Sequence, residues 1–336
     1  MSNLTEILTK KNICKSVWFM RQAGRYLPEF RDIRSQNQNF INLCLNSELS
    51  SEITLQPIKR FDLDSAIIFS DILMVPYALG QEVNFVKNEG PVLGNLNMDN
   101  ILKANKESFS KKLSPVYRAI DITRKKLPKE KSLISFIGAP WTLLVYMLGI
   151  KKADNNLNLK KLNNKDLKLS DLINELIKIL NIHIQNQVDA GADVVQIFDS
   201  WAGLIPSANI QDLCYSPNAK IVEFCKKKKI SNICFPKGIK LKYKEFNNFV
   251  KPDGINIDYE IDPQWAKSNL TDVVIQGGLD PKALLKPEDE MIEVATKYIK
   301  TFQNTPYVFN LGHGLLPETD PVRVQKLVKF YRNFNE

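Results

Sequence analysis

The sequence predicts an α/β protein whose parallel strands close into a (β/α)8 barrel. Short apolar runs rich in β-branched residues recur along the chain, stretches of helical period separate them, and the links are short. This alternation is typical of parallel sheets, because each parallel pair of strands needs a crossover connection. The predicted strands are residues 65–69, 133–137, 194–198, 233–235, 254–257, 273–276 and 307–310.

Helical periodicity is clearest over residues 172–190, 287–301 and 321–334, the last with Asp320 as N-cap and Pro321 at the first helical position. Seven strands, with an eighth that the pattern does not place, favour a closed barrel over a doubly wound open sheet. No Gly-x-Gly-x-x-Gly or Gly-x-x-x-x-Gly-Lys loop follows any predicted strand, which weakens the nucleotide-binding form of that alternative. Because no linker interrupts the pattern, we expect a single domain over residues 1–336 with an N-terminal extension.

Composition indicates a cytoplasmic protein without a metal site. No apolar run approaches the ~20 residues that span a bilayer, and the polar first 12 residues lack the apolar centre of a signal peptide. Five dispersed cysteines favour reduced thiols, and neither histidine has metal-ligand spacing to them. Much of the +9 net charge lies in two lysine-rich runs, residues 151–168 and 226–229. Neither run has interleaved aromatic residues, so we interpret both as solvated and expect no nucleic-acid partner.

Residues 17–28 form the most informative segment, because a large apolar run leads directly into Arg21 and Arg25. Guanidinium groups at the edge of a core suit a carboxylate or phosphate, which they bind through paired hydrogen bonds. The alternative is a short amphipathic helix with both arginines exposed. Gly24 weakens that alternative, because glycine inside a helix costs roughly 1 kcal/mol relative to alanine. We therefore expect this segment to bind a polyanionic small molecule.

Polar or glycine residues follow the predicted strands, and the carboxyl ends of parallel barrel strands meet at one face. These residues are Asp71, Gly138, Asp199 with Ser200, Lys237, Asp258, Gly277 with Gly278, and Gly312 with His313 and Gly314. Helix caps and turns also place such residues at strand ends, so one or two alone would indicate little. The whole set predicts a site at this face.

Asp71 is either a helix cap or a site residue. Beside Arg21 and Arg25 we expect its pKa to be lowered, so that an ionised carboxylate stabilises a developing cation. His313, between two glycines, either contacts a ligand or caps the last helix, whereas His183 lies in a helical run and is interpreted as structural. Tyr146 could reach the same face. So could Ser200, which has no histidine partner that the sequence can assign and so does not indicate acyl transfer.

The motifs together resemble the uroporphyrinogen decarboxylase family from about residue 10 to residue 334. They are WFMRQAGRYLP at residues 18–28, FSDIL at 69–73, GAPWT at 138–142, FDSWAG at 198–203, QG and LDP within 276–281, and LGHG at 311–314. The resemblance implies a (β/α)8 barrel, usually a homodimer, that acts without a metal or organic cofactor. Its reaction converts the four acetate arms of uroporphyrinogen III to methyl groups, giving coproporphyrinogen III.

The resemblance also implies site roles. The implied catalytic residues are Asp71, Arg21 and Arg25. The implied substrate-binding residues are Arg21, Gln22, Ala23, Gly24, Arg25, Asp71, Tyr146, Ser200 and His313. Asp71 matches the carboxylate that faces the pyrrole N–H groups, and the proton donor is left unassigned. The sequence departs from the family pattern at Tyr259, where tryptophan is common, at Gly278, where asparagine is usual, and in the lysine-rich run 151–168.

Two alternative functions remain at this point. A corrinoid or thiol methyltransferase on the same barrel would use zinc, but such sites need histidine and cysteine ligands close together. A non-catalytic anion or nucleic-acid binder is compatible with the net charge, and would show salt-dependent binding to DNA or RNA.

Overall fold

A computed structural model describes residues 2–86, 89–150 and 169–334. Seven strands form one parallel sheet in the order β1, β4, β5, β6, β7, β8, β9, and β2 and β3 form a separate antiparallel hairpin. The strands are β1 (Ser65–Ile67), β2 (Val83–Val86), β3 (Gly90–Leu93), β4 (Ser132–Gly138), β5 (Val194–Asp199), β6 (Ser231–Pro236), β7 (Gly254–Ile257), β8 (Val274–Gly277) and β9 (Tyr307–Val308).

Helices precede the sheet and connect its successive strands, as a parallel arrangement requires. They are α1 (Asn3–Lys10), α2 (Pro28–Gln36), α3 (Phe40–Cys44), α4 (Ser47–Arg60), α5 (Met74–Ala78), α6 (Asp99–Leu102), α7 (Lys106–Lys126), α8 (Pro140–Met147), α9 (Leu169–Asp189), α10 (Ser216–Lys227), α11 (Tyr243–Val250), α12 (Pro263–Asn269), α13 (Glu288–Phe302) and α14 (Pro321–Asn333). Helix α14 begins as predicted, since the Asp320 side chain accepts a hydrogen bond from the amide of Val322 and Pro321 follows it.

Residues 16–19, which we call the 16–19 segment, join the two edges of the sheet. Val17 forms a parallel bridge with Phe309, directly after β9, and the Phe309 amide donates to the carbonyl of Ser16 at 2.9 Å. On the other side the amide of Asp64, directly before β1, donates to the carbonyl of Val17 at 2.9 Å. The sheet is therefore curled, and one extended segment contacts both of its edges.

The interior of the curled sheet is apolar at its amino-terminal end, where helix α1 packs against it. Leu4, Ile7 and Leu8 of α1 are buried with inward-facing strand residues such as Ile134 and Val194. Leu8 also lies against β7, because a Cβ atom added to Gly254 would lie 2.9 Å from Leu8 Cδ2. With this end filled by apolar side chains, the polar strand ends are left at the opposite face.

The predicted strands agree with the seven strands of the sheet to within a few residues, and all three predicted helices are present. The β2–β3 hairpin was not predicted. Lysines 226–229 are exposed at the end of α10, as expected, whereas the run 151–168 lies outside the described residues. All five cysteines are free thiols. Within the described ranges, no helix has the length and apolar character needed to cross a bilayer.

Candidate active site

The segment that carries the two arginines is a loop, so the amphipathic-helix alternative is wrong. The chain turns at Met20 and Arg21, and helix α2 begins only at Pro28. The Gln22 side chain holds this loop from inside, since its Oε1 accepts from the Phe19 amide at 3.1 Å and its Nε2 donates to the Ser65 carbonyl at 3.0 Å. The Gln22 side chain is thus used to tie the loop to β1.

Arg21 has a backbone conformation that is unusual for a residue with a side chain. Its φ is +58°, in the left-handed region, which costs of order 1 kcal/mol or more outside glycine. A hydrogen bond from the loop after β9 holds the backbone beside Arg21, because the amide of Leu315 donates to the Met20 carbonyl at 2.9 Å. The exposed Arg21 side chain is thereby directed along the loop that contains His313.

The glycines beside His313 serve contacts within the protein. A Cβ atom on Gly314 would lie 2.4 Å from Cδ of Arg21, and one on Gly312 would lie 2.3 Å from the backbone nitrogen of Tyr259. Real Cβ atoms do not approach other atoms this closely. Each glycine therefore permits a close approach, one to Arg21 and one to the loop that follows β7.

Asp71 follows β1 and makes a local hydrogen bond, with its Oδ1 accepting from the Leu73 amide at 2.8 Å. Burial raises its pKa to about 6, although that hydrogen bond and the positive charge of Arg21 both lower it. Our expectation of a lowered pKa was therefore wrong, because the desolvation of the carboxylate exceeds the attraction of the guanidinium. Roughly nine in ten Asp71 side chains are still ionised at pH 7.

His313 is half-buried, and its pKa is lowered to about 3 by burial and by the positive charges of Lys237 and Arg21. It is therefore a neutral imidazole at physiological pH. A neutral ring donates through one nitrogen and accepts through the other. His313 can thus offer a hydrogen bond to a ligand but adds no charge.

Lys237 follows β6 and was not given a role from the sequence. Burial and Arg21 lower the pKa of its ammonium group, while Asp258 and Glu260 raise it. Its charge also acts on His313. A lysine after a strand looks like any surface lysine in the sequence, and only its place among the strand ends distinguishes it.

Tyr146 lies in helix α8, and Ser200 lies in the turn directly after β5. The pKa of Tyr146 is raised mainly by burial and also by Asp71, while Trp201 and Arg21 lower it, and its ring packs edge-on against Trp201 at 5.9 Å. Ser200 is half-buried beside Asp199, whose Oδ1 accepts from the hydroxyl of Thr142 at 2.7 Å. Asp199 is thereby held in the scaffold, and the Ser200 hydroxyl has no hydrogen-bond partner in the part of the chain described.

The structure therefore brings most of the predicted site residues together around Arg21, whose charge acts on Asp71, Tyr146, Lys237 and His313. Arg25 is exposed on the same loop, and among the described residues its side chain has no hydrogen bond or ion pair. Ala23 and Gly24 are half-buried in the turn between the two arginines. His183 lies apart, buried between α7 and α9, with Nδ1 3.0 Å from the hydroxyl of Tyr117.

The two departures from the family pattern have different surroundings. Tyr259 is 40% exposed. Gly278 has a φ of +100°, and a Cβ atom there would lie 2.5 Å from Cε1 of Tyr298, so glycine suits this position. In residues 2–86, 89–150 and 169–334, no three histidine, cysteine or acidic side chains are grouped so that they could hold a metal ion.

A curled parallel sheet with cations, a neutral histidine and a shielded carboxylate beyond its strand ends defines an α/β enzyme suited to an anionic small molecule. Residues 6–334 match the family model described as uroporphyrinogen decarboxylase (URO-D). The chain belongs to this family.

Several relatives share this assignment, and one solved structure has a similar fold. Uroporphyrinogen decarboxylases of Orientia tsutsugamushi (strain Ikeda) and Rickettsia bellii (strain RML369-C) are each 42% identical, over 95% of this chain and 94% of the relative. That of Jannaschia sp. (strain CCS1) is 39% identical over 94% of each chain. A methyltransferase from Methanosarcina mazei has a similar fold, with a TM-score of 0.74 and 17% identity over 98% of this chain and 97% of that one.

Proposed function

We propose that this chain converts the four acetate arms of uroporphyrinogen III to methyl groups, giving coproporphyrinogen III. Family membership and identities of about 40% over nearly the whole chain support decarboxylation in tetrapyrrole biosynthesis. The observation that carries the site assignment is the shielded Asp71 carboxylate within electrostatic reach of Arg21. Together these two groups can hold a polyanion and stabilise a cation formed upon it.

The reaction needs no electron sink besides the substrate. Protonation of an electron-rich pyrrole at a ring carbon makes a delocalised cation. The C–C bond to the carboxylate then breaks, carbon dioxide leaves, and the electron pair neutralises the ring. The resulting exocyclic methylene takes up a proton to become a methyl group, and the ring carbon returns its own proton. Each arm therefore consumes one proton and releases one carbon dioxide.

Asp71 is suited to stabilise that transient cation, because it is ionised at pH 7 and half-buried. A single preorganised group of this kind is worth about 3–4 kcal/mol in the transition state. Its Oδ1 is fixed by the Leu73 amide, which keeps the carboxylate oriented before substrate arrives. Asp71 thus meets the requirement for preorganisation.

The remaining residues would bind the carboxylate arms. Arg21 and Arg25 provide guanidinium groups, and neutral His313, Tyr146 and Ser200 provide hydrogen bonds. The backbone of Gln22, Ala23 and Gly24 shapes the turn that separates the arginines. Gln22 contributes by holding this turn, because its side chain is already hydrogen-bonded to backbone groups.

We also infer a closed (β/α)8 barrel in one domain over residues 1–336, with α1 as an N-terminal extension. The 16–19 segment supports this, since it bridges β9 and contacts the residue before β1. We expect a homodimer that acts in the cytoplasm without metal or organic cofactor, and that binds neither nucleic acid nor membrane. The five free thiols fit a reducing compartment.

The direct test is anaerobic incubation of the purified protein with uroporphyrinogen III, followed by oxidation and chromatography of the porphyrins. We expect porphyrins with successively fewer carboxyl groups, ending at coproporphyrin. Recovery of unchanged uroporphyrin from folded protein would contradict the proposed function.

A further inference from the structure

Hydrogen bonds to neighbouring residues hold the backbone of Lys237 in place. Its amide donates to the carbonyl of Asp199 at 3.1 Å, and its carbonyl accepts from the amide of Gly203 at 2.9 Å. The two loops pack so closely that a Cβ atom on Gly203 would lie 2.8 Å from the carbonyl oxygen of Gly238. The loops after β5 and β6 therefore fix the backbone from which the Lys237 side chain extends.

The Lys237 ammonium group is half-buried, yet within the described ranges it has no hydrogen bond and no ion pair. Three other half-buried cations in the described ranges are paired: Arg124 lies 2.9 Å from Asp193, Lys131 lies 3.9 Å from Asp62, and Arg332 lies 2.9 Å from Asp64. A shielded charge without a partner costs free energy. The unpaired ammonium group at a strand end of the site therefore needs an explanation.

Asp258, the carboxylate whose charge acts most strongly on Lys237, is already used elsewhere. Its Oδ2 accepts from the Gly238 amide at 2.8 Å and from the Tyr243 hydroxyl at 3.1 Å. Its Oδ1 accepts from the Glu260 amide at 3.1 Å. Asp258 is only 2% exposed, so it fastens the loops after β6 and β7 to each other and leaves the ammonium group free for another anion.

The charges of Arg21 and Glu260 also act on Lys237, and the charge of Lys237 acts on the neutral His313. Arg21 and His313 carry no negative charge, and the exposed Glu260 carboxylate forms no ion pair with Lys237 in the described part of the chain. We propose that Lys237 binds a carboxylate of the substrate, as a third cation of the site beside Arg21 and Arg25. This proposal rests on the proposed function, whose substrate carries propionate arms as well as four acetate arms.

The titration of Lys237 is consistent with this role. Burial and the charge of Arg21 lower its pKa in the empty site, and a carboxylate bound beside it would raise the pKa again. The bound anion would thus relieve both the desolvation of the ammonium group and its repulsion by Arg21.

The test compares Lys237→Gln with Lys240→Gln and Lys237→Arg in steady-state assays on uroporphyrinogen III. Lys240 is a matched control, because it is exposed three residues further along the same loop. We expect Lys237→Gln to raise KM about tenfold to a hundredfold, the effect of losing one hydrogen bond between charged groups. Lys240→Gln should leave KM within twofold, and Lys237→Arg should recover most of the loss because it keeps the charge.

An active wild-type enzyme whose Lys237→Gln variant keeps its KM, or loses kcat alone, would overturn the role of Lys237 and leave the proposed function intact. Equal rises in KM for the Lys237 and Lys240 variants would also overturn it, since they would indicate a general effect of charge. An inactive wild-type protein would instead count against the proposed function. Thermal unfolding of each variant checks that the fold is retained.

Discussion

The side chain of Arg21 lies against Gly314 so closely that a Cβ atom on Gly314 would come within 2.4 Å of Arg21 Cδ. The loop after β9 thereby fixes the direction of the guanidinium stem. A sequence in which glycines flank a histidine suggests that the backbone approaches a ligand. Here the close approach is to Arg21, the arginine that we propose binds the substrate.

Gly314→Ala should therefore weaken substrate binding by displacing Arg21. Gly314 does not have a positive φ, so alanine introduces no backbone strain there. We expect kcat/KM to fall about tenfold or more, since a misplaced guanidinium loses its paired hydrogen bonds to a carboxylate. Steady-state kinetics measure this. Gly94→Ala, in the hairpin region where the added atom meets the Glu82 side chain, is the control and should keep normal kinetics.

Asp71→Asn should lower kcat by two or more orders of magnitude, because it removes the negative charge that we propose stabilises the cationic intermediate. Asparagine keeps an oxygen that can accept from the Leu73 amide, so the loop should remain in place. Single-turnover rates with uroporphyrinogen III measure the effect. Near-normal turnover would remove Asp71 from the mechanism.

The same substitution should make the protein more stable at pH 7. The folded-state pKa of Asp71, about 6, lies above the ordinary value of 3.8, so the folded protein keeps a proton that the unfolded chain loses between these values. Stability therefore falls as pH rises through this window, and Asp71→Asn removes that loss. Because the side chain is partly exposed, we expect a gain of order 1 kcal/mol. Urea unfolding should show this gain at pH 7 and its absence at pH 3.5.

The pH dependence of kcat/KM should have an acid limb near pH 6, since the proposed mechanism requires ionised Asp71. His313, with a pKa of about 3, cannot produce this limb. A His313→Gln variant should therefore retain the limb even if its rate is lower. Loss of the limb in that variant would indicate that protonation of His313, and not of Asp71, produces it.

His183 should make the fold sensitive to acid. Burial lowers its pKa to about 3 from 6.5, so the unfolded chain binds a proton that the folded protein excludes. Stability is therefore full above pH 6.5 and decreases as pH falls below it, by about 2 kcal/mol at pH 5. His183→Gln should be less stable at pH 7, because the Tyr117 contact changes, but should lose less between pH 7 and pH 5. Urea unfolding at both pH values measures this difference.

The sequence by itself determined the alternation of strands and helices. Buried parallel strands read as continuous apolar runs, because both of their faces are covered, and this made the seven strands of the sheet recognisable. The start of α14 was also predictable from the sequence, because Asp320 caps the helix locally and Pro321 suits its first position. The arginine pair and the polar strand ends predicted Arg21, Arg25, Asp71 and His313, and motifs shared with a family added residues 22–24. Both kinds of pattern identify positions but not their surroundings.

Tertiary structure alone decided how these parts act together. The 16–19 segment joins the sheet edges through bonds to residues some 45 to 290 positions away, which no local pattern encodes. Lys237 becomes a candidate substrate-binding residue only because neighbouring loops shield it and because Asp258 already accepts hydrogen bonds from other groups. The pKa of Asp71 depends on whether desolvation exceeds the attraction of Arg21. That balance is set by distances and burial, quantities that exist only once the chain has folded.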